Sequence, residues 1–221
     1  MNILIVGNDN NLAEAKLKFG ESHSYTLSKN QAKAEKYFSS SSVIFDFVLE
    51  NNPSQVKQYA SHSSAIVFIN TSKISLDKLG LLVNYEISCT LFGFCGLPTF
   101  LNRPLLEVTL YQNKNRERLE AICTMLGTKF SIVEDRVGLV TPRVICMIIN
   151  EAYYTLEEGT ASREDIDLAM KLGTNYPNGP FEWAQRIGVQ QVYELLDAVY
   201  NDTKDERYKI CSLLKEERFI L

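Results

Sequence analysis

Gly7, Asp9 and Leu12 stand in the three slots of a phosphate-cradling turn. Such a turn follows a buried strand, here NILIV, and opens a helix. Its first glycine makes the turn, the second lets the backbone approach a pyrophosphate, and the third lets helix and strand pack closely. Only the first slot holds glycine here. Asp9 adds negative charge where the helix N-terminus should offer positive potential. An acid is expected at the end of the second strand, SYTLS, to hold the ribose hydroxyls. The chain has Ser28 and Lys29 there. These residues favour a Rossmann-type strand–helix unit with weak or no dinucleotide binding.

The remaining reactive side chains are few. His23 and His62 are the two histidines, and the five cysteines are Cys89, Cys95, Cys123, Cys146 and Cys211. The cysteine count is odd, no C-x-x-C pair occurs, and most lie in apolar surroundings. Reduced thiols are expected, with neither a disulfide framework nor a metal site. The net charge is −4 with no basic block, so nothing points to nucleic acid or an anionic membrane. No apolar run reaches the length of a membrane span, and the chain enters a strand at once, so no signal peptide is expected. A cytoplasmic location is the expectation.

The elements that must position these residues alternate up to about residue 135. Apolar runs NILIV, SYTLS, SVIFDFV, AIVFIN, TLFGFC, EVTLYQ and KFSIVED are separated by helix-like stretches at 11–19, 31–38, 53–60, 75–82 and 115–126. Ser39–Ser42 reads as a loop. That alternation predicts a mostly parallel sheet covered on both faces. Beyond it the pattern is helical. Residues 141–158 read as one apolar helix, with Thr141 as cap, Pro142 at the first position and Gly159 at the end. SREDIDLAMKLG follows, capped by Ser162 and closed by Gly173. Pro180 opens a third helix, and two more lie near 189–199 and 208–217. The expected organisation is an α/β domain at 1–136 and an all-α domain at 137–221.

The second half strongly resembles the C-terminal domain of 3-hydroxyacyl-CoA dehydrogenases, including 3-hydroxybutyryl-CoA dehydrogenase. The marks are NEA (150–152), LEEG (156–159), S-x-E-D-I-D-x-A-M-K-L-G (162–173) and Y-P-x-G-P-F-E (176–182). The resemblance runs back into the first half. VIFDFVLE (43–50) looks like the family's strand ending in a glutamate, here Glu50, and FINTSKIS (68–75) like its S-N-T-S-S segment. It implies a Rossmann-type NAD-binding domain followed by a helical domain of the 6-phosphogluconate dehydrogenase C-terminal type. It also implies an acyl-CoA ligand, NAD as cofactor, and a homodimer formed through the C-terminal domain. The stretch between the second and third strands is shorter than the family's.

The family moves a hydride between the C3 carbon of an acyl-CoA and a nicotinamide. A histidine exchanges the C3 oxygen's proton, a glutamate orients it, and a serine and an asparagine bind substrate oxygens. By resemblance the serine falls on Ser72 and the glutamate on Glu107. The histidine position is Cys95 and the asparagine position is Pro142. The cofactor-contact positions are Gly7, Asp9, Leu12 and Glu50. A thiol, with a reference pKa of about 8.5, stays protonated beside a carboxylate, and proline has no side-chain donor. Neither histidine lies near the strand end that carries Cys95. Ordinary dehydrogenase activity is therefore expected to be weak or lost, as in a pseudoenzyme. A non-catalytic protein that binds CoA esters or another ligand, and a dimeric interaction protein, are the rival readings. Each retained residue has a plainer role too. Ser72 could cap the helix near Ser75, Cys95 could be a small buried hydrophobe, and the YPNGPFE turn could be purely structural. Tyr153, Tyr154 and Trp183 are candidates for a dimer contact.

Overall fold

The computed structural model describes residues 1–83 and 86–219, which divide into two compact units, Met1–Leu139 and Val140–Leu221. The first holds a seven-stranded sheet. Its strands are β1 (Asn2–Val6), β2 (Ser24–Ser28), β3 (Val43–Asp46), β4 (Ile66–Asn70), β5 (Thr90–Phe94), β6 (Leu105–Leu110) and β7 (Lys129–Ile132). Their spatial order is β2-β1-β3-β4-β5-β6-β7. Every pairing is parallel except β5 with β6, which runs Phe92↔Leu110, Gly93↔Thr109 and Phe94↔Val108. The chain steps from β1 to β2 on one side and to β3 on the other. The switch point of the sheet, where such folds open a crevice at the carboxyl ends, thus lies between β1 and β3.

Strands β1, β3, β4 and β5 are mostly apolar because both faces are covered. Ile3, Ile5, Phe45, Phe68 and Phe92 point into one core, and Leu4, Val6, Ile44, Val67 and Leu91 into the other. This is the period-two alternation of a strand with a core on each side. Phe45 stacks on Phe68 at 4.7 Å between ring centroids.

The helices of this unit are α1 (Asp9–Phe19), α2 (Lys57–Ala60), α3 (Leu76–Gly80) and α4 (Arg116–Met125). Three helix expectations are corrected. Residues 31–38 form two 3-10 segments, Gln31–Lys33 and Glu35–Ser40; residues 53–60 divide into a 3-10 turn and the short α2; and α3 covers only part of 75–82. QAKAEKYF offers one fully buried aromatic, Phe38, and no apolar stripe long enough to sustain a helix.

The second unit consists of α5 (Thr141–Glu157), α6 (Arg163–Thr174), α7 (Pro180–Ile187), α8 (Val189–Thr203) and α9 (Ser212–Glu217). Helix α5 buries Ile145, Ile149, Ala152 and Tyr153, one face at helical spacing. It starts on Val140 without a side-chain cap, so Thr141 is its first residue and Pro142 lies one position further in than expected. It ends in a Schellman arrangement: the Gly159 N–H reaches the Leu156 carbonyl and the Thr160 N–H the Thr155 carbonyl. Gly159 takes a φ of 70°, which suits glycine. Ser162 caps α6, its hydroxyl accepting the Asp165 N–H at 3.2 Å. Gly173 does not close α6; Asn175, at φ 59°, does. The expected last helix divides into a 3-10 turn, Glu206–Tyr208, and α9.

Candidate functional site

The turn after β1 is closed by its own side chains. The Asn8 N–H donates to Asn11 Oδ1 at 2.9 Å, and the Asn11 N–H to Asn8 Oδ1 at 3.0 Å. This reciprocal cap satisfies two amides at the start of α1. Gly7 serves that cap, because a Cβ there would lie 2.4 Å from Asn11 Oδ1. The Asp9 carboxylate pairs with Lys29 Nζ at 2.5 Å, just past the end of β2. Leu12 is half-buried against the sheet core. A dinucleotide of the NAD type needs open helix amides, a close backbone approach and an acid after β2. This turn supplies amides already bonded, a carboxylate in the second slot, and a lysine. The residues present do not fit it.

At the carboxyl ends of β3, β4 and β5 the buried polar groups gather. Asn70 ends β4, and its Oδ1 accepts the Ser72 N–H (3.2 Å), the Ser72 hydroxyl (2.9 Å) and the Gly96 N–H (2.8 Å). Its Nδ2 donates to the Phe47 carbonyl at 3.3 Å. One carboxamide therefore ties the segments after β3, β4 and β5 together. The Ser72 hydroxyl also lies 2.9 Å from Glu50 Oε2. With a single proton, it serves one of its two acceptors at a time. Glu50 sits not at a strand end but in the 3-10 turn Leu49–Asn51 beyond β3. Its other oxygen pairs with Lys73 Nζ at 3.2 Å, with side chains only 5% and 14% exposed. Burial pushes the Glu50 carboxyl up, and the Lys73 ammonium opposes that shift. Ser72 does not cap α3; Ser75 does, accepting the Lys78 N–H.

Cys95 follows β5 and is buried. Glu107, half-buried in β6, is one step beyond the last β5–β6 pair, Phe94↔Val108, as Cys95 is on the facing strand. Gly93 permits this packing, since a Cβ would come within 2.3 Å of Thr109 Oγ1 and 2.5 Å of Thr71 Oγ1. Ser72, Cys95 and Glu107 thus all belong to the carboxyl-end region of the β4–β6 sheet segment, counting Glu107 by its antiparallel register. Pro142 belongs to the other unit, buried in the first turn of α5. His23 instead contacts the N-terminal amine at 3.3 Å, and His62 pairs with Glu35 at 3.1 Å. Among the described residues no cluster of His, Cys, Asp and Glu could hold a metal.

Sequence reasoning missed Asn70, Lys73 and Asp46. The last ends β3 fully buried and accepts the Val48 and Leu49 N–H groups, Gln31 Nε2 and the Tyr59 hydroxyl, all within 2.7–2.9 Å. A lone carboxylate inside the apolar run VIFDFV was the available signal.

The motifs of the second unit are mostly interlocks. Asn150 of NEA donates to the Lys209 carbonyl at 2.9 Å and accepts the Cys211 N–H at 3.0 Å. Asp167 of the α6 motif accepts the first amides of α7. Glu182 of PFE accepts the Gly179 N–H at 3.0 Å and pairs with Lys171. Gly179 is required, since a Cβ would meet Asp167 Cγ at 2.2 Å. Tyr153 and Trp183 are buried within the chain, the former donating to Glu217 at 2.8 Å.

Comparison with known proteins agrees with this architecture. Residues 138–217 match the family described as 3-hydroxyacyl-CoA dehydrogenase, C-terminal domain. A 3-hydroxybutyryl-CoA dehydrogenase of Bradyrhizobium diazoefficiens is 31% identical over 156 residues, covering 68% of this chain and 52% of that protein. A 3-hydroxyadipyl-CoA dehydrogenase of Escherichia coli is 42% identical over 88 residues, 40% of this chain and 18% of that one. The chain thus spans about half or less of these curated relatives. A solved (S)-3-hydroxybutyryl-CoA dehydrogenase from Ralstonia eutropha superimposes with a TM-score of 0.74 over 97% of this chain and 92% of its own. At 23% identity that likeness speaks for the fold alone. With the helical domain's family pattern, its interlocking motifs and the seven-stranded sheet in agreement, the chain belongs to the 3-hydroxyacyl-CoA dehydrogenase family, as an abbreviated and divergent member.

Proposed function

We propose that this protein is a 3-hydroxyacyl-CoA dehydrogenase homologue that retains a site for a CoA ester and has lost most or all NAD-dependent turnover. The observation that carries this reading is Cys95. By resemblance it takes the place of the family's acid–base histidine, and the β5–β6 register sets it across from Glu107. A thiol is a weak hydrogen-bond donor, and loss of a positioned acid–base group forfeits about 10² to 10⁴ in rate. Pro142, in the place of the substrate-binding asparagine, removes a second polar contact. The phosphate turn supports the same reading from the cofactor side. Ser72 and Glu107 keep the family's residue types, and Ser72 is the residue assigned to the ester's oxygen.

The test is direct. Purified protein is mixed with acetoacetyl-CoA and NADH, and NADH absorbance is followed. Rates at the buffer level, together with thermal stabilisation by a CoA ester that scales as RT ln(1 + [L]/Kd), are the expected result. Turnover at rates ordinary for a dehydrogenase, about 1 per second or above, would overturn it.

A homodimer formed through the helical unit is part of the proposal. Val140, Val144, Leu168 and Leu172 are each more than half exposed, an apolar set that self-association would cover. Light scattering at micromolar concentration checks it, a monomer being the contrary outcome. Cytoplasmic residence is part of the proposal, supported by five buried cysteines outside any disulfide, and is checked by fractionation.

A further inference from the structure

We propose that Lys73 acts as an internal occupant of the crevice at the carboxyl ends of β3 and β4: its ammonium holds the Glu50 carboxylate away from an incoming dinucleotide. This rests on the reading above, that the protein keeps a CoA-ester site and has lost its NAD-dependent turnover.

Several observations converge on Lys73. In open α/β sheets a ligand enters outside the carboxyl ends of the strands near the switch point. In this chain Glu50 follows β3 and Lys73 follows β4, on neighbouring parallel strands. Glu50 Oε1 takes the lysine ammonium at 3.2 Å, and Oε2 takes the Ser72 hydroxyl at 2.9 Å and the Lys73 N–H at 3.3 Å. One residue thus engages both carboxylate oxygens, with its ammonium and with its backbone. The side chains are nearly sealed, so water does not compete for them.

The second obstacle, at the phosphate turn, is of a different kind. Asp9 and Lys29 are 73% and 63% exposed. Exposed pairs contribute little and exchange readily with water and salt. A buried pair is costly to break, because removing one partner strands the other's charge. The two blocks are therefore unequal. Restoring glycine at position 9 removes the weaker one and leaves the crevice filled. Removing the lysine at 73 opens it.

Calorimetric titration with NADH compares the unaltered protein, Asp9→Gly and Lys73→Ser. Asp9→Gly is expected to stay within about threefold of the unaltered protein, and Lys73→Ser to bind at least tenfold tighter than either. A folded Lys73→Ser protein that binds no better, or an Asp9→Gly protein that makes the gain by itself, overturns the proposal. Should Lys73→Ser fail to fold, Glu50→Gln/Lys73→Ser leaves no lone buried charge and is read on the same scale. Acylation of the unaltered protein gives an independent measure. Lys73 should react at least tenfold more slowly than Lys29, and equal rates would refute its sealed position. Turnover of acetoacetyl-CoA by the unaltered protein would refute the functional reading, whereas absence of tightening in Lys73→Ser refutes the role of Lys73 alone.

Discussion

Asp167 on α6 caps α7, the helix that begins at Pro180. Its Oδ1 accepts the Phe181 N–H at 2.8 Å and its Oδ2 the Glu182 N–H at 3.1 Å. These are two of the amides that a helix start leaves without intrahelical partners. The carboxylate fits only because residue 179 has no side chain. Two of the motifs by which the family is recognised thus form one mechanical joint.

Asp167→Ala should therefore destabilise the protein by about 1–3 kcal/mol, the cost of leaving buried donors unmet. Gly179→Ala should do comparable harm by steric exclusion. The double substitution should cost clearly less than the sum, because the alanine methyl enters the space the carboxylate leaves. Urea unfolding of the four proteins measures the cycle. Strict additivity would mean the two residues act separately.

Asp46 gives a pH signature. Burial pushes its carboxyl up, and the hydrogen bonds from Tyr59, Val48, Gln31 and Leu49 oppose that without cancelling it. A folded-state pKa above the unfolded value, about 3.9, adds stability at acid pH that is lost as pH rises through the folded value. The stability of the unaltered protein relative to Asp46→Asn should be greater near about pH 5 than near about pH 8. Unfolding titrations at both values decide this. A difference that grows with pH would show that the hydrogen bonds outweigh burial.

The thiols should be inert until the chain unfolds. All five cysteines are buried, and burial pushes the Cys89, Cys123 and Cys146 thiols up to about 12. The thiolate is the reactive form. Ellman's reagent should find fewer than one equivalent in the native protein and five in guanidinium, the full cysteine count. Rapid native labelling of any one thiol would contradict its burial.

Cys95→His returns an imidazole to the end of β5, across from the strand that carries Glu107. With Lys73 in place, the gain in acetoacetyl-CoA reduction should stay below about tenfold. Combined with Lys73→Ser, it should exceed the product of the separate gains, since residues that act as a unit are not additive. Initial rates of the three variants test this, and independent effects would separate the two positions.

The strands were legible because a sheet covered on both faces demands continuous apolar runs, and NILIV and AIVFIN supply them. Ser162 was legible as a cap because its partner, the Asp165 N–H, is three residues away. The polar network was not. Ser72 and Glu50 are 22 residues apart, and Asn70 and Gly96 are 26 apart. Local pattern carries no information about such pairs. Only the parallel register brings β3, β4 and β5 to one edge. Asp167 was visible as part of a motif, yet its role depends on how α6 and α7 meet. The short helices were overread for the opposite reason, since polar 3-10 turns share their composition.

The position of β2 shows how this family's sheet can be trimmed. β2 is outermost, paired with β1 alone, and its side chains alternate between exposed and half-buried until Ser28. By resemblance the segment between β2 and β3 is shorter than the family's, which would put the economy on the margin of the sheet. A margin can recede and leave one row of backbone groups facing water, as any border strand does. Excising an inner strand would strip hydrogen-bond partners from both of its neighbours in the dry interior. Contraction from the rim inward spares the middle strands, and with them the helical half can persist long after the rim has ceased to match its ancestors.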